Sequence, residues 1–359
     1  MRAIIAGGGT GGHLFPGIAV AREIERRCPG SEILFVGAEQ GIETRLVPQE
    51  GYALRTLPSG GVKGLSWRKK VQNLAATLTG LIKARRILKE FDPSVVIGVG
   101  GYASVPMVGA AILSGYPRLI MEQNSIPGLA NRMLGWWVDY AAVTDHRTAR
   151  FFGARAVVTG NPVRPQFKSI PPRIHKAPFT ILIFGGSQGA RAINEGMRNS
   201  LPFLADWKDH LRFIHQTGEQ QLEQTRSAYA QGGFTADVRA FFENFHEQYG
   251  AADLIIARAG ATTVAEVKAA GRAAVLVPFP FAADDHQTKN AAAMVEENAA
   301  VMIANADLRG DQLATTIRSL LSDLNRLTEI EQNARRLAVL DAEKQIVDLA
   351  EHAIRRHGG

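Results

Sequence analysis

Short apolar, β-branched runs recur along the chain, each closed by a glycine-rich or polar turn and followed by a stretch whose apolar residues fall three and four apart. RAIIAG (2–7), EILFVG (32–37), SVVIGVG (94–100), RLIMEQN (118–124) and AVVTGNP (156–162) occupy the first half. FTILIFGG (179–186), LRFIHQTG (211–218), DLIIARAG (253–260) and AAVLVPFP (273–280) follow in the second. A strand followed by a helix, repeated, predicts parallel sheets joined by crossover helices. The two halves open alike, with AIIAGGGTGG in one and ILIFGGSQGA in the other. Between them NPVRPQFKSIPPRIHKAP, residues 161–178, carries five prolines and little apolar periodicity, which predicts an interdomain linker. The expected architecture is α/β: two Rossmann-like domains with parallel sheets facing across a cleft. That cleft is lined by the carboxyl ends of the strands, where open α/β sheets bind ligands.

A length of 359 residues exceeds what one core normally serves, in keeping with two domains. Apolar residues at 46% and charged residues at 21% are the proportions of a packed globular chain. Cys28 is the only cysteine, which excludes an intramolecular disulfide and a thiolate metal cluster and fits a cytoplasmic location. A strand this close to Met1 leaves no room for a signal segment. The most apolar stretch, Ala103 to Leu113, is interrupted by Ser104, Pro106 and Gly109 and falls short of the roughly 20 residues of a membrane span, so it predicts a buried helix. A net charge of +7 points to an anionic partner without separating nucleic acid, acidic lipid and phosphorylated substrate.

Position narrows the choice. Gly7, Gly9 and Gly12 satisfy G-x-G-x-x-G, but the acidic residue of a dinucleotide site is poorly matched, since Glu39 lies 27 residues past Gly12. A phosphate-loop NTPase is excluded because His13-Leu14 stands where Lys-Ser/Thr belongs. What remains is an anion held by helix-terminal amides, or glycines serving close helix–strand packing. GVGGY, Gly98 to Tyr102, and GGSQGA add two more glycine turns after strands, which suits a ligand rich in phosphate or sugar. Ser187 adds a hydroxyl to the amides of Gly186 to Gly189 as a diphosphate cradle, or serves as an N-cap. Glu266 stands three residues after Thr263, the spacing of a capping box, and in a first helical turn it is also placed to accept ribose hydroxyls. DDHQTKN (284–290) and EQNS (122–125) bring further carboxylates and amides to strand ends, where buried polar groups need partners.

From Lys63 to Lys89 there are eight basic residues and no acidic one, with apolar residues at helical spacing after Trp67. This predicts a helix with a basic face, either solvated or resting on an anionic membrane. The histidines, His13, His146, His175, His210, His215 and His286 among them, do not cluster at ligand spacing, so no metal is expected.

Taken in order, GGGTGGH, GVGGYAS, EQN, GNPVR, GGSQGA, RAGATTVAE and DDHQTKNA span nearly the whole chain. Together they resemble the N-acetylglucosaminyltransferases of peptidoglycan synthesis in glycosyltransferase family 28. The resemblance implies the two-domain GT-B fold and inverting transfer of N-acetylglucosamine from its UDP carrier to the C4 hydroxyl of undecaprenyl-diphospho-muramoyl-pentapeptide. The work would be done without a cofactor, at the cytoplasmic face of the plasma membrane. It implies an acceptor- and membrane-binding domain over 1–163, with 341–359 crossing back onto it, and a donor domain over 164–340. On the donor side it implies Ser187, Gln188 and Gly189 near the diphosphate and Glu266 on the ribose. Phe242 would lie by the uracil, and Gln287, Asn290, Ala261 and Thr262 by the sugar. Asn124 and Arg164 would also reach the donor. Thr10, Gly11, Gly12, His13, Gly100, Gly101 and Tyr102 would shape the acceptor side. Met121 departs from the family, which commonly has histidine before Glu-Gln-Asn.

Displacement of UDP passes through an oxocarbenium-like state with charge growing on the diphosphate, and the acceptor hydroxyl needs a base. His13 is the first candidate, since its ordinary pKa of about 6.5 suits the task where a permanently cationic lysine would not, and Glu122 is the second. The competing readings are a UDP-N-acetylglucosamine 2-epimerase, which shares fold and donor but leaves an acceptor turn and a basic-apolar helix unexplained, and a nucleic-acid-binding module. The latter lacks aromatic interleaving and binding motifs, so no nucleic-acid partner is expected.

Overall fold

The computed structural model describes residues 1–39, 41–58, 67–101, 103–186 and 188–358, excepting the side chains of 67–78 and 283. The chain forms two compact units, Met1–Val163 with Val339–Gly359, and Arg164–Ala338.

In the first unit β1 (Arg2–Gly7), β2 (Glu32–Ala38), β3 (Ala53–Leu57), β4 (Val95–Gly100), β5 (Arg118–Glu122), β6 (Tyr140–Val143) and β7 (Ala156–Val158) form one parallel sheet, ordered β3-β2-β1-β4-β5-β6-β7. From Ala3 to Gly7 in β1 and throughout β4 the central strands carry no polar side chain because both faces are covered, and successive side chains enter different cores. Ile5, Phe35 and Ile97 pack under α1 (Gly11–Arg27) and the closing helix Ala342–His357. Ile4, Val36 and Val96 pack under α3 (Trp67–Phe91), α4 (Ser104–Ser114) and α5 (Leu129–Leu134). Each such fully buried aliphatic chain stabilises by roughly 1.5–3 kcal/mol. The closing helix is fastened to α1 by Arg27, which reaches Asp348 at 2.5 Å and the Lys344 carbonyl at 2.9 Å. The apolar stretch after Ala103 is α4, interior on one side and exposed at Leu113. Among the described residues, no helix is long and apolar enough to cross a membrane.

The second unit repeats the scheme with β8 (Phe179–Phe184), β9 (Leu211–Gln216), β10 (Thr235–Arg239), β11 (Leu254–Ala257), β12 (Ala274–Leu276) and β13 (Val301–Met302), all parallel in the order β10-β9-β8-β11-β12-β13. The proline-rich run expected as a linker behaves differently from Arg164 onward, where it is packed structure. Phe167 is buried against Tyr249, with ring centroids 4.9 Å apart. Arg173 and His175 both bond Asp253, and His175 also reaches Glu331. The guanidinium of Arg272, 1% exposed, donates to the Pro171, Tyr249 and Gly250 carbonyls. Prolines erased the periodicity, while charge pairing and carbonyl capping supplied the packing.

Candidate active site

Where strand order reverses, two neighbouring strand ends open a crevice. In the first sheet these strands are β1 and β4, and both end in glycine. Gly8 and Gly9 have φ of 143° and 85°, and Gly100 and Gly101 have 90° and 81°. The two turns are pressed together. Gly8 N donates to the Gly100 carbonyl at 3.2 Å, and a Cβ on Gly101 would stand 2.4 Å from the Gly8 oxygen. Thr10, exposed, is the extended N-cap of α1, so the N–H groups of Gly11 and Gly12 fall in a first turn that has no intrahelical acceptors for them.

His13 is the third residue of α1 and half-buried. Its ring lies against Gly100, where a Cβ would come within 2.9 Å of Nδ1. Nδ1 stands 3.1 Å from Gln123 Oε1, and the amide nitrogen of Gln123 donates to the Val99 carbonyl at 3.1 Å. Glu122, 3% exposed, is occupied otherwise. Its Oε1 accepts from the backbone N–H and side-chain amide of Asn124 at 3.0 and 3.2 Å, and its Oε2 from Gly128 N at 3.1 Å and Asn131 Nδ2 at 2.9 Å. This carboxylate closes the loop between β5 and α5. Tyr102 lies outside the described residues.

One residue of this site went unread. Glu43, at the start of α2 (Glu43–Gln49) and 1% exposed, accepts from Gly9 N and Ala38 N, both at 2.8 Å. A Cβ on Gly8, Gly37 or Gly41 would collide with it at 2.5, 2.4 or 2.1 Å. The glycines around Glu43 were the available signal: a buried carboxylate that binds backbone N–H groups needs neighbours without side chains.

In the second sheet the reversal falls between β8 and β11. Gly189 has φ 76°, and a Cβ there would be 1.8 Å from the Thr217 oxygen. Gln188 is exposed on this turn. Ser187 lies outside the described residues, and the next helix, Arg191–Ser200, has Ala190 as its N-cap. Gln216, buried and also unread from the sequence, donates to the Gly186 carbonyl at 3.0 Å and accepts from Phe242 N at 2.9 Å. Its amide sets the glycine turn against the segment carrying Phe242, whose own side chain is 3% exposed.

After β11 the helix Ala261–Ala270 begins at the N-cap Gly260, with no carboxylate in its first turn. This corrects the capping-box expectation. Thr263 is already helical and Glu266 is the sixth helical residue, one turn too late to cap. Its side chain points inward, 6% exposed, and Arg164 Nη2 donates to Oε1 at 2.8 Å. Burial pushes the Glu266 pKa up, opposed by the Arg164 guanidinium. Arg164 also stacks 4.5 Å from the centre of the Phe167 ring. Around the same strand ends, Asn290 Nδ2 donates to the Ala259 carbonyl at 3.1 Å, and Gln287 Oε1 accepts from Phe279 N at 2.9 Å. Thr262 Oγ1 is buried with no hydrogen-bond partner among the described residues, an unsatisfied group beside Ala261 at the helix start. Asp284 and Asp285, with φ of 54° and 55°, hold a left-handed turn before the helix His286–Glu296, strain of a kind concentrated at ligand-binding loops. Arg258, lowered by burial to about 10, donates to the Val277 and Pro278 carbonyls beneath this loop.

Two parallel α/β sheets, each with glycine turns at its point of reversal, are the architecture of the GT-B glycosyltransferases. Residues 3–143 match the glycosyltransferase family 28 N-terminal domain and residues 180–348 the family 28 C-terminal domain, and the chain belongs to glycosyltransferase family 28. It is 48% identical over 351 residues to the UDP-N-acetylglucosamine–N-acetylmuramyl-(pentapeptide) pyrophosphoryl-undecaprenol N-acetylglucosamine transferase of Citrifermentans bemidjiense, covering 97% of this chain and 98% of that one. The crystal structure of Acinetobacter baumannii MurG superposes with a TM-score of 0.82 at 34% identity, covering 98% and 99% of the two chains. The UDP-GlcNAc 2-epimerase of Neisseria meningitidis, at 10% identity and a TM-score of 0.68 over 98% and 100%, shares the fold alone.

Proposed function

We propose that this chain transfers N-acetylglucosamine from UDP-N-acetylglucosamine to the C4 hydroxyl of undecaprenyl-diphospho-muramoyl-pentapeptide, with inversion. The observation that carries the reading is the 48% identity, over almost the full length of both chains, to a relative named for that transfer. The geometry supports a division of labour. The second unit takes the donor: the turn at Ser187, Gln188 and Gly189 meets the diphosphate, Glu266 and Arg164 the ribose, the backbone at Phe242 the uracil, and Ala261, Thr262, Gln287 and Asn290 the sugar. The first unit takes the acceptor at Thr10, Gly11, Gly12, Gly100, Gly101 and Tyr102. Losing one preorganised donor to the developing diphosphate charge costs roughly 2.7–4 kcal/mol, which makes the turn at Ser187 to Gly189 a principal contributor.

Of the two base candidates we assign the role to His13. Both carboxylate oxygens of Glu122 are occupied by four donors from Asn124, Gly128 and Asn131, which commits them to closing a loop rather than to an acceptor hydroxyl. The membrane side of the reading rests on the sheet face covered by α3, α4 and α5. There Ile82, Leu113, Met133, Trp136 and Trp137 are exposed, the two tryptophans by 68% and 65%, and tryptophan suits a membrane–water boundary. The enzyme would work as a peripheral protein on the cytoplasmic side.

The test is mass spectrometry of the lipid fraction after incubation with both substrates. A lipid heavier by one N-acetylhexosamine, with UDP released only when both are present, is the expected result. Unchanged lipid together with conversion of UDP-N-acetylglucosamine to its C2 epimer would overturn it.

A further inference from the structure

We infer that Gln123 is a positioning residue of the transfer, fixing His13 as the Nδ1–H tautomer and leaving Nε2 as the basic atom. The inference rests on His13 being the base. The Val99 carbonyl can only accept, so the side of the Gln123 amide that faces it, at 3.1 Å, is the NH2 group. The other side, Oε1, can only accept as well, and it faces His13 Nδ1 at 3.1 Å. Nδ1 therefore carries hydrogen. In a neutral imidazole one nitrogen holds the proton and the other the lone pair, so the lone pair is on Nε2. Gln123 is 3% exposed and Val99 is the penultimate residue of β4, so the amide is held by sheet and core and cannot turn over without facing oxygen to oxygen. Gly100 completes the arrangement by leaving room for the ring.

In the reaction the acceptor C4 oxygen forms its bond to the anomeric carbon while its proton passes to Nε2. The bond from that carbon to the UDP diphosphate oxygen breaks, and its electron pair leaves with UDP. The resulting imidazolium keeps Nδ1–H on Gln123 and later returns the Nε2 proton to water. An amide oxygen orients the ring without placing a full negative charge beside it.

The test is long-range 1H–15N NMR of the histidine rings in the full chain, with His13 assigned by its loss in His13→Gln, alongside steady-state kinetics. The wild type is expected to show Nδ1–H. Gln123→Met should shift His13 toward Nε2–H and lower kcat on the order of 10²-fold at nearly unchanged KM, within the range ascribed to general-base catalysis. Gln123→Glu, whose carboxylic acid form can donate to the Val99 carbonyl while keeping an acceptor oxygen at Nδ1, should restore the tautomer and much of kcat. Nε2–H in the wild type would overturn the inference, as would an unchanged tautomer in Gln123→Met. A tautomer that shifts while kcat stays within twofold would instead remove His13 as the base and leave the tautomer assignment standing.

Discussion

Arg164 and Glu266 meet at 2.8 Å, so the first residue of the second unit is joined to the second turn of the helix that follows β11. The carboxylate is buried, and Arg164 is the cation that offsets the cost of its charge. In the donor site proposed above, that carboxylate would offer a ribose an acceptor already oriented. Glu266→Ala should weaken UDP binding by about tenfold or more, the scale of hydrogen bonds to a charged group. Titration calorimetry checks it, and unchanged affinity would remove Glu266 from the ribose.

The Glu43 carboxylate accepts from two backbone N–H groups, Gly9 N and Ala38 N. Glu43→Ala strands both, and about 1.5–3 kcal/mol is expected for each bond to a charged group. The expected outcome is a stability loss of several kcal/mol with lost turnover, while UDP affinity, assigned above to the other unit, persists. Urea unfolding combined with UDP titration separates the two effects.

Gly9 and Gly101 have nearly equal φ, 85° and 81°, but different neighbours. Nothing lies within 4 Å of a Cβ on Gly9, whereas one on Gly101 would strike the Gly8 carbonyl. Gly9→Ala should therefore cost only the left-handed backbone term, about 1–2 kcal/mol, and Gly101→Ala at least twice that. Comparable midpoints in thermal unfolding would contradict the packed-turn arrangement.

His175 sits between Asp253 and Glu331 at 2.9 and 3.0 Å. Burial opposes its charge, but the two carboxylates outweigh that and raise its pKa from 6.5 to about 9. Because the folded value is the higher, the stabilisation is complete below pH 6.5 and disappears as pH climbs through 9. It amounts to about 3 kcal/mol. Urea midpoints should fall across that window in the wild type, and His175→Gln should flatten the fall. Parallel pH profiles for the two proteins would show that the clip contributes nothing.

Replacing Trp136 and Trp137 together by alanine should weaken retention on anionic phospholipid vesicles about tenfold or more, given the apolar area removed. Cosedimentation at low salt measures it, with UDP affinity as the control for folding. Full retention would move the contact to another face.

The alternating pattern reported the central strands because burial on both faces leaves them almost continuously apolar, interrupted only by Arg2 in β1 and Thr180 in β8, with β4 and β11 unbroken. The edge strands β3 and β10 were not legible: at ALRTL and TADVR most positions are exposed, and Arg55, Thr56, Thr235, Asp237 and Arg239 interrupt the apolar run. β6, as YAAV, is too short and too small in side chain to stand out. At the site, glycine turns were readable because positive φ and close backbone approach restrict the residue type. Glu43, Gln123 and Gln216 were not read as braces, since what defines them is a hydrogen bond to a residue 24 or more positions away or, for Glu43, one of two bonds 34 positions away. Glu266 was found for its position after a strand and mistaken in its helical turn, because the glycine at 260 started the helix earlier than the Thr-x-x-Glu spacing implied.

Gln123 and Gln216 share a property: each passes an N–H to a main-chain carbonyl beside a glycine turn and presents its oxygen to a second group, one to an imidazole and the other to the peptide of Phe242. Each sheet thus carries its own internal gauge, calibrated against its own backbone. Inheritance can then retune one pocket, for a different acceptor or a different nucleotide, while the other keeps its calibration, and such modularity lets one scaffold diversify by halves.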